Sequence, residues 1–321
     1  MIKLILTTVA IIVLAMNCPS AIADQTEKQT MQTKQYPVLN NAQEFIEFFR
    51  QGGKYYDKQK SLPNLMIGKQ PDPQALKVLG EALATDTQDV RDEIVRLLRK
   101  IASLNHPARE LRTPEVIDLL VGPGFAKRDS ASSEAMDILR EDASIVTLSR
   151  YGDIFLRELK KKPSASLFLL IAKAKPKGAR EEVERLAKLP EWENDLYMRI
   201  TQAALGNTKI EEEFIADAKQ KEDAGDGRGL VKSFIPLVQI CTPSTLRAVC
   251  LRLRSPLTYQ FNFFTHPVYD EAMRALIYVY PEEADFLTNP GPGEEAYIRV
   301  EQFCELKTGV SFYGIPRPIR R

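Results

Sequence analysis

His106 and His266 are the only two histidines in 321 residues, and each is followed by proline. An imidazole becomes a metal ligand when partners stand at a fixed offset, as in His-Glu-x-x-His or paired Cys-x-x-Cys, and neither pattern occurs. Both histidines are read as turn residues at helix entrances. A nucleophilic hydrolase would show Gly-x-Ser-x-Gly and a phosphate-binding loop Gly-x-x-x-x-Gly-Lys-Ser/Thr; the chain contains neither. Glu222-Asp223-Ala224-Gly225-Asp226-Gly227 resembles a calcium loop only in placing Asp before Gly. With Gly227 as the loop glycine, Ala224 takes a ligand position and Ser233 stands where the bidentate glutamate belongs. No catalytic residue, metal or cofactor is assigned.

The charged residues offer surface chemistry instead. Asp92, Arg96 and Lys100 stand four apart and so share one edge of a helix; Asp270, Arg274 and Tyr278 repeat the spacing, with Glu181 and Arg185 as a middle pair. Arg96, Arg185 and Arg274 are 89 residues apart each time. If their helices turn the same face inward, these stripes form a mixed-charge ladder along a groove, the expected binding set. The competing reading is pairing within each helix at i and i+4, worth about 0.2–0.5 kcal/mol per pair and needing no partner. The aromatic run Tyr259, Phe261, Phe263 and Phe264, beside Tyr269, is expected to fill the gap between helix pairs. Lys160-Lys161-Lys162 ends a helix and Glu211-Glu212-Glu213 begins one, placements that complement the helix dipole without a ligand.

These residues ride on amphipathic helices. Between Asp86 and Ile101, Val90, Ile94, Leu97, Leu98 and Ile101 recur at three- and four-residue spacing, giving a helix that must bury one face. Asn41 caps a short helix with Phe45, Ile46, Phe48 and Phe49, stopped by Gly52-Gly53. Asp72-Pro73 opens another, with Leu76, Leu79 and Leu83 as its stripe. Further helices are predicted at 114–121, 131–142, 145–161, 164–174, 178–189, 192–206, 209–222, 230–241, 244–254, 267–280 and 294–307, with no strand between them and a break at Gly225–Gly229.

Thr85-Asp86 with Asp89-Val90-Arg91 and Leu97-Leu98 resembles the second helix of a HEAT repeat. Thr265-His266-Pro267-Val268-Tyr269-Asp270 with Ala272, Ala275 and Leu276 is similar, with Tyr269 in place of the arginine. The 89-residue spacing divides into two units of about 44, within the range of armadillo and HEAT repeats. Glu134–Ala143 is helical without the pattern, and Glu222–Gly229 is a loop where a copy is wanted. The resemblance spans about residues 70–285 and implies an all-α, irregular α-solenoid of antiparallel helix pairs whose second helices line a concave face.

Lys3, the apolar run Leu4–Ala15 and the small-residue site Ala21-Ile22-Ala23 mark residues 1–23 as a secretory signal peptide cleaved before Asp24. The run falls short of the roughly 20 apolar residues of a spanning helix, so no membrane insertion is expected after cleavage. A polar leader over 24–40, the solenoid over 41–310 and a Pro/Arg-containing tail over 311–321 complete the expected organisation. Cleavage removes Lys3 and no acid, leaving 43 basic and 43 acidic side chains, a balance that does not favour nucleic acid or anionic membranes. Cys241, Cys250 and Cys304 remain, an odd count that permits one internal disulfide in an oxidising compartment. Direct Cys241 to Cys250 pairing is strained by about 6 Å of axial offset across a helical hairpin, so Cys304 pairs with one of them or all three are buried thiols. The chain is thus expected to be a periplasmic or secreted protein that binds another protein in its groove, as an immunity or inhibitor protein or an envelope scaffold. The alternative is an enzyme on the same scaffold that works through carboxylates, arginines and tyrosines.

Overall fold

Polar caps set where the helices begin. The computed structural model describes residues 39–53, 66–67, 70–103, 114–279 and 294–315, so the expectations for the signal peptide, most of the leader, His106 and the last six residues lie outside the described residues. Helix α1 (Ala42–Arg50) starts where Asn41 accepts the Glu44 backbone N–H at 2.9 Å. Asp72 does the same for α2 (Pro73–Thr85), and α3 (Gln88–Ser103) follows after a two-residue turn. Then come α4 (Pro114–Val121), α5 (Ser130–Asp142), α6 (Ile145–Ser149), α7 (Gly152–Lys161), α8 (Ala165–Ala174), α9 (Ala179–Leu186) and α10 (Leu196–Ala204). The second half holds α11 (Thr208–Asp223), α12 (Gly227–Ile240), α13 (Pro243–Leu251), α14 (Val268–Val279) and α15 (Glu294–Thr308). Asp129, Ser144, Ser164, Asp195, Asn207, Asp226 and Thr242 cap α5, α6, α8, α10, α11, α12 and α13 through side-chain oxygens.

The described residues are mostly helical, as the periodicity predicts. Helix α8 holds the two halves together. It is apolar all round and buried from Leu167 to Ala174, with Phe168, Leu170 and Ile171 in a core that starts at Leu39 and Leu169 and Ala172 in a second that ends at Phe312. Its one charge, Lys173, is 2% exposed and donates to the carbonyls of Arg140 and Ala143 at the end of α5. An ammonium donating to terminal carbonyls also meets the negative end of that helix.

Several expectations are corrected. Two antiparallel hairpins interrupt the helices: β1 (Met66–Ile67) with β2 (Gln70–Pro71), and β3 (Thr258–Phe261) with β4 (Phe264–Pro267). The predicted 145–161 helix is two, separated at Tyr151, and the predicted 192–206 helix begins only at Leu196. The break predicted at Gly225–Gly229 is present but shorter, at 224–226, because Asp226 caps α12 and the helix already runs from Gly227. Glycine is required at Gly227 because a Cβ there would lie 2.3 Å from the Thr258 carbonyl oxygen, so β3 can rest on the start of α12.

The C-terminal end is built into the body. Val310 and Phe312 are 2% and 5% exposed, although Phe312 lies in the predicted tail. Arg254 forms an ion pair with Glu301, donates to the Ile315 carbonyl at 2.7 Å and stacks over Phe312. Cys250 and Cys304 form a disulfide that joins α13 to α15, which resolves the open pairing in favour of Cys250; Cys241 is half-buried and stands outside that bond.

Candidate binding surface

The predicted ladder divides in the structure. Arg96 on α3 pairs with Glu93 at 2.5 Å and with Glu134 of α5 at 3.4 Å, not with Asp92. Asp92 accepts a hydrogen bond from Ser130 at 2.6 Å, and Lys100 is half-buried on the same helix. Arg185 pairs with Glu182 at 2.6 Å and Arg274 with Glu271 at 2.7 Å. Each arginine therefore takes the acid three residues before it, one position on from Asp92, Glu181 and Asp270. Glu181 is exposed on α9, Asp270 half-buried at the start of α14, and the Tyr278 side chain lies outside the described residues. Arg185 lies on α9, which packs on α10, and its partner Glu182 lies near Lys160 of α7.

What α3 offers in charge is taken up by α5. Arg91 reaches Asp129, Asp92 reaches Ser130 and Arg96 reaches Glu134, each across 38 residues of sequence, while Arg99 reaches Glu141 and Asp142. A constant offset means that the two helices run side by side in the same direction. Arg91 is the most buried of these residues, 0% exposed, and also donates to the Gly124 carbonyl at 3.2 Å.

The exposed feature is the β3–β4 hairpin. Register sets Tyr259 opposite His266 and Phe261 opposite Phe264, so all four side chains share one face. Their rings converge on His266, at 5.5 Å from Tyr259, 6.2 Å from Phe261 and 6.5 Å from Phe264. Asn262 supplies the left-handed residue that a two-residue turn requires, at φ 55°. Phe263 completes that turn and is 97% exposed; Phe264 is 69% and Phe261 55% exposed. This overturns the expectation that the aromatic run fills a gap between helices. Exposure of three phenylalanines on one short hairpin is apolar surface left uncovered.

The hairpin is held firmly at its base. The Val268 N–H donates to the Leu257 carbonyl at 3.0 Å, and the Tyr259 hydroxyl donates to Glu271 at 2.9 Å, the same carboxylate that receives Arg274. Burial first, and then the hydrogen bond and charge of Glu271, push the Tyr259 phenol up to about 12; burial and Asp118 do the same for Tyr151. A raised folded pKa stabilises the fold below the unfolded value near 10 and is lost as pH rises through the folded value. Absorbance titration should therefore find Tyr151 and Tyr259 among the phenols still neutral at about pH 11, and Tyr259→Phe should lower that late fraction by one tyrosine. An unaltered late fraction in that variant would show that Glu271 does not hold the phenol.

Beside the hairpin lies a cavity of about 420 Å³. Helix α12 gives it Phe234, Ile235, Val238 and Gln239; Glu271 and Arg274 come from α14, and Arg140 and Glu141 from the end of α5. A second cavity, of about 260 Å³, lies where α5 and α8 begin and is lined by Asp129, Lys162 and Ser164. Asp129 is the carboxylate there with a shifted pKa: burial raises it, but hydrogen bonds from Arg91 and the Ser132 N–H outweigh burial and hold it below the usual range. A carboxylate held ionised by an arginine is a structural acceptor, the wrong sense for a general acid. Among the described residues no three His, Cys, Asp or Glu side chains gather to hold a metal ion, and no helix is long and apolar enough to cross a membrane. No protein-family model, curated protein or solved structure matches the chain.

Proposed function

We propose that this chain is an exported protein that binds another protein, with the aromatic face of the β3–β4 hairpin as its central contact. The observation that carries the proposal is the exposure of Phe261, Phe263 and Phe264 on a hairpin fixed by the Tyr259–Glu271–Arg274 network. Rigid aromatics lose little entropy on binding and dominate the cores of protein interfaces. The Cys250–Cys304 disulfide supports an oxidising compartment, in keeping with export to the periplasm or medium. An immunity or inhibitor role uses such a projecting hairpin to block a partner's site, whereas an envelope scaffold uses it as an adhesive point.

We further infer that the helices stack as an irregular HEAT-like solenoid. Supporting this, the ties between α3 and α5 recur at an offset of 38 residues, and Ser166 to Asp137 and Thr201 to Phe168 continue the series from α5 through α8 to α10. Small-angle scattering should then give an elongated particle; a radius of gyration near that of a sphere would refute the stacking.

Capture of the partner by the tagged chain, followed by binding of variants, tests the function. Phe261→Ser with Phe263→Ser should weaken binding at least about 100-fold, since central aromatic contacts contribute about 2 kcal/mol or more each. The melting temperature should stay within about 2 °C, because both rings are exposed in the free protein. Unchanged affinity in that double variant, with loss in Arg96→Glu and Arg274→Glu, would return the contact to the charged stripes.

A further inference from the structure

We propose that the cavity between α5, α12 and α14 receives an extended segment of the partner, with a bulky apolar side chain in the cavity and an acidic residue beside it. This rests on the protein-binding reading above and adds the chemistry of what is bound. Lys232, Ile235 and Gln239 fall at i, i+3 and i+7 on α12 and so share the helix face that lines the cavity. Phe234 and Val238 form its buried apolar floor, and Ile235, 60% exposed, is an uncovered apolar wall. A volume of about 420 Å³ is within the range of small-ligand pockets, room for a large side chain and the short stretch of extended backbone that carries it.

Polar groups at the cavity ask for hydrogen-bond donors and for negative charge. Gln239 is only 6% exposed, yet its Oε1 has no hydrogen-bond partner among the described residues. A buried acceptor without a donor costs about 1–3 kcal/mol, and a bound N–H would supply what is missing. Pro236 lies inside α12 and has no N–H to give to the carbonyl of Lys232, four residues earlier, so a second acceptor on this stretch lacks its helical donor. Lys232 itself is exposed at the rim, with no carboxylate paired to it among the described residues, whereas Arg274 is matched by Glu271. Backbone N–H groups, an apolar side chain and a carboxylate are together the features of a peptide segment. A free amphiphilic acid would satisfy Lys232 and the floor but bring no N–H for Gln239.

The test is a titration of isotope-labelled residues 24–321 with three acetylated, amidated peptides, Gly-Ser-Asp-X-Ser-Gly with X as Leu, Phe or Trp. Saturable shifts of the Ile235 methyl and Gln239 side-chain amide signals are expected with at least one peptide. Binding should fall about tenfold in Lys232→Glu, in Gln239→Leu, and for the peptide with Lys in place of Asp, a factor that corresponds to about 1.4 kcal/mol. Gln239→Leu should melt at or above the temperature of the unaltered chain, because it removes an unmatched buried acceptor; a role confined to holding the fold would lower it. No saturable shift, equal binding of the Lys peptide, or octanoate binding as tightly as the peptides would each overturn the proposal. Partner capture separates the two readings: loss in the Phe261/Phe263 variant but not in Lys232→Glu or Gln239→Leu would remove the cavity and leave the hairpin.

Discussion

Replacing Cys250 and Cys304 with serine is expected to lower the stability of the fold by about 4 kcal/mol. The two cysteines are 54 residues apart in sequence, and closing a loop of that length removes a large share of the unfolded chain's entropy. Spread over a chain of this size, the loss lowers the melting temperature by roughly 7 °C. The effect concentrates at one end, because α15 brings more than its cysteine to the second core. Tyr297 packs edge-on against Tyr269 at 5.6 Å, and Glu301 is paired with Arg254, which in turn holds Phe312 and Ile315. Loosening α15 therefore exposes apolar surface on α13 and α14 together. Thermal melts with and without a reductant that reaches buried sulfur measure the effect, and the reduced chain should match the double serine variant. Cys241→Ser should leave the melt where it is. Non-reduced peptide mapping that linked Cys241, or equal melts of the oxidised and reduced chains, would show that the crosslink does not restrain the fold.

What was legible in the sequence was local. The stripe of Val90, Ile94, Leu97 and Leu98 is buried as its spacing predicts, and Asn41 and Asp72 cap the helices assigned to them. Such features depend on residues within a turn or two of one another. The β3–β4 hairpin was missed although Tyr259-x-Phe261 and Phe264-x-His266 alternate about Asn262, because each strand is only four residues long and lies between helix signals. Aromatic content pointed to a core; only the placement of the hairpin off the start of α12 shows that its phenylalanines are exposed. The ion-pair partners of the striped arginines were not legible for a different reason. Choice between an acid at i−3 and one at i−4 turns on rotamers, and the Glu134 partner of Arg96 comes from a neighbouring helix that the spacing of α3 cannot name. Gly227 likewise looked like a helix breaker, because its reason is the Thr258 carbonyl, 31 residues away.

Arg91→Met is expected to destabilise the fold by about 3–5 kcal/mol, far more than reversal of any exposed arginine. The side chain of Arg91 is wholly buried, with Nε 2.7 Å from Asp129 Oδ2 and Nη2 3.2 Å from the Gly124 carbonyl oxygen. Asp129 in turn accepts the Ser132 N–H at 3.0 Å and so caps α5, which makes the pair a joint between α3 and the start of the next long helix. Methionine fills much of the space but leaves Asp129 with its charge half-buried and unmatched. Asp129→Asn keeps the cap and strands the guanidinium instead. In a cycle of the two single changes and the double, the energies should fall well short of additive, since either change breaks the same bond. Acid supplies an independent check. Because the folded Asp129 pKa lies below its ordinary value near 4, the pair's contribution is complete above that pH and disappears as pH falls through the folded value. The unaltered chain should thus lose more stability than Arg91→Met on acidification from about pH 5 to pH 2. Parallel acid profiles for the two chains, with an additive cycle, would mean that Arg91 acts by packing alone and that the joint between α3 and α5 rests on the partly exposed ties of Arg96 and Arg99.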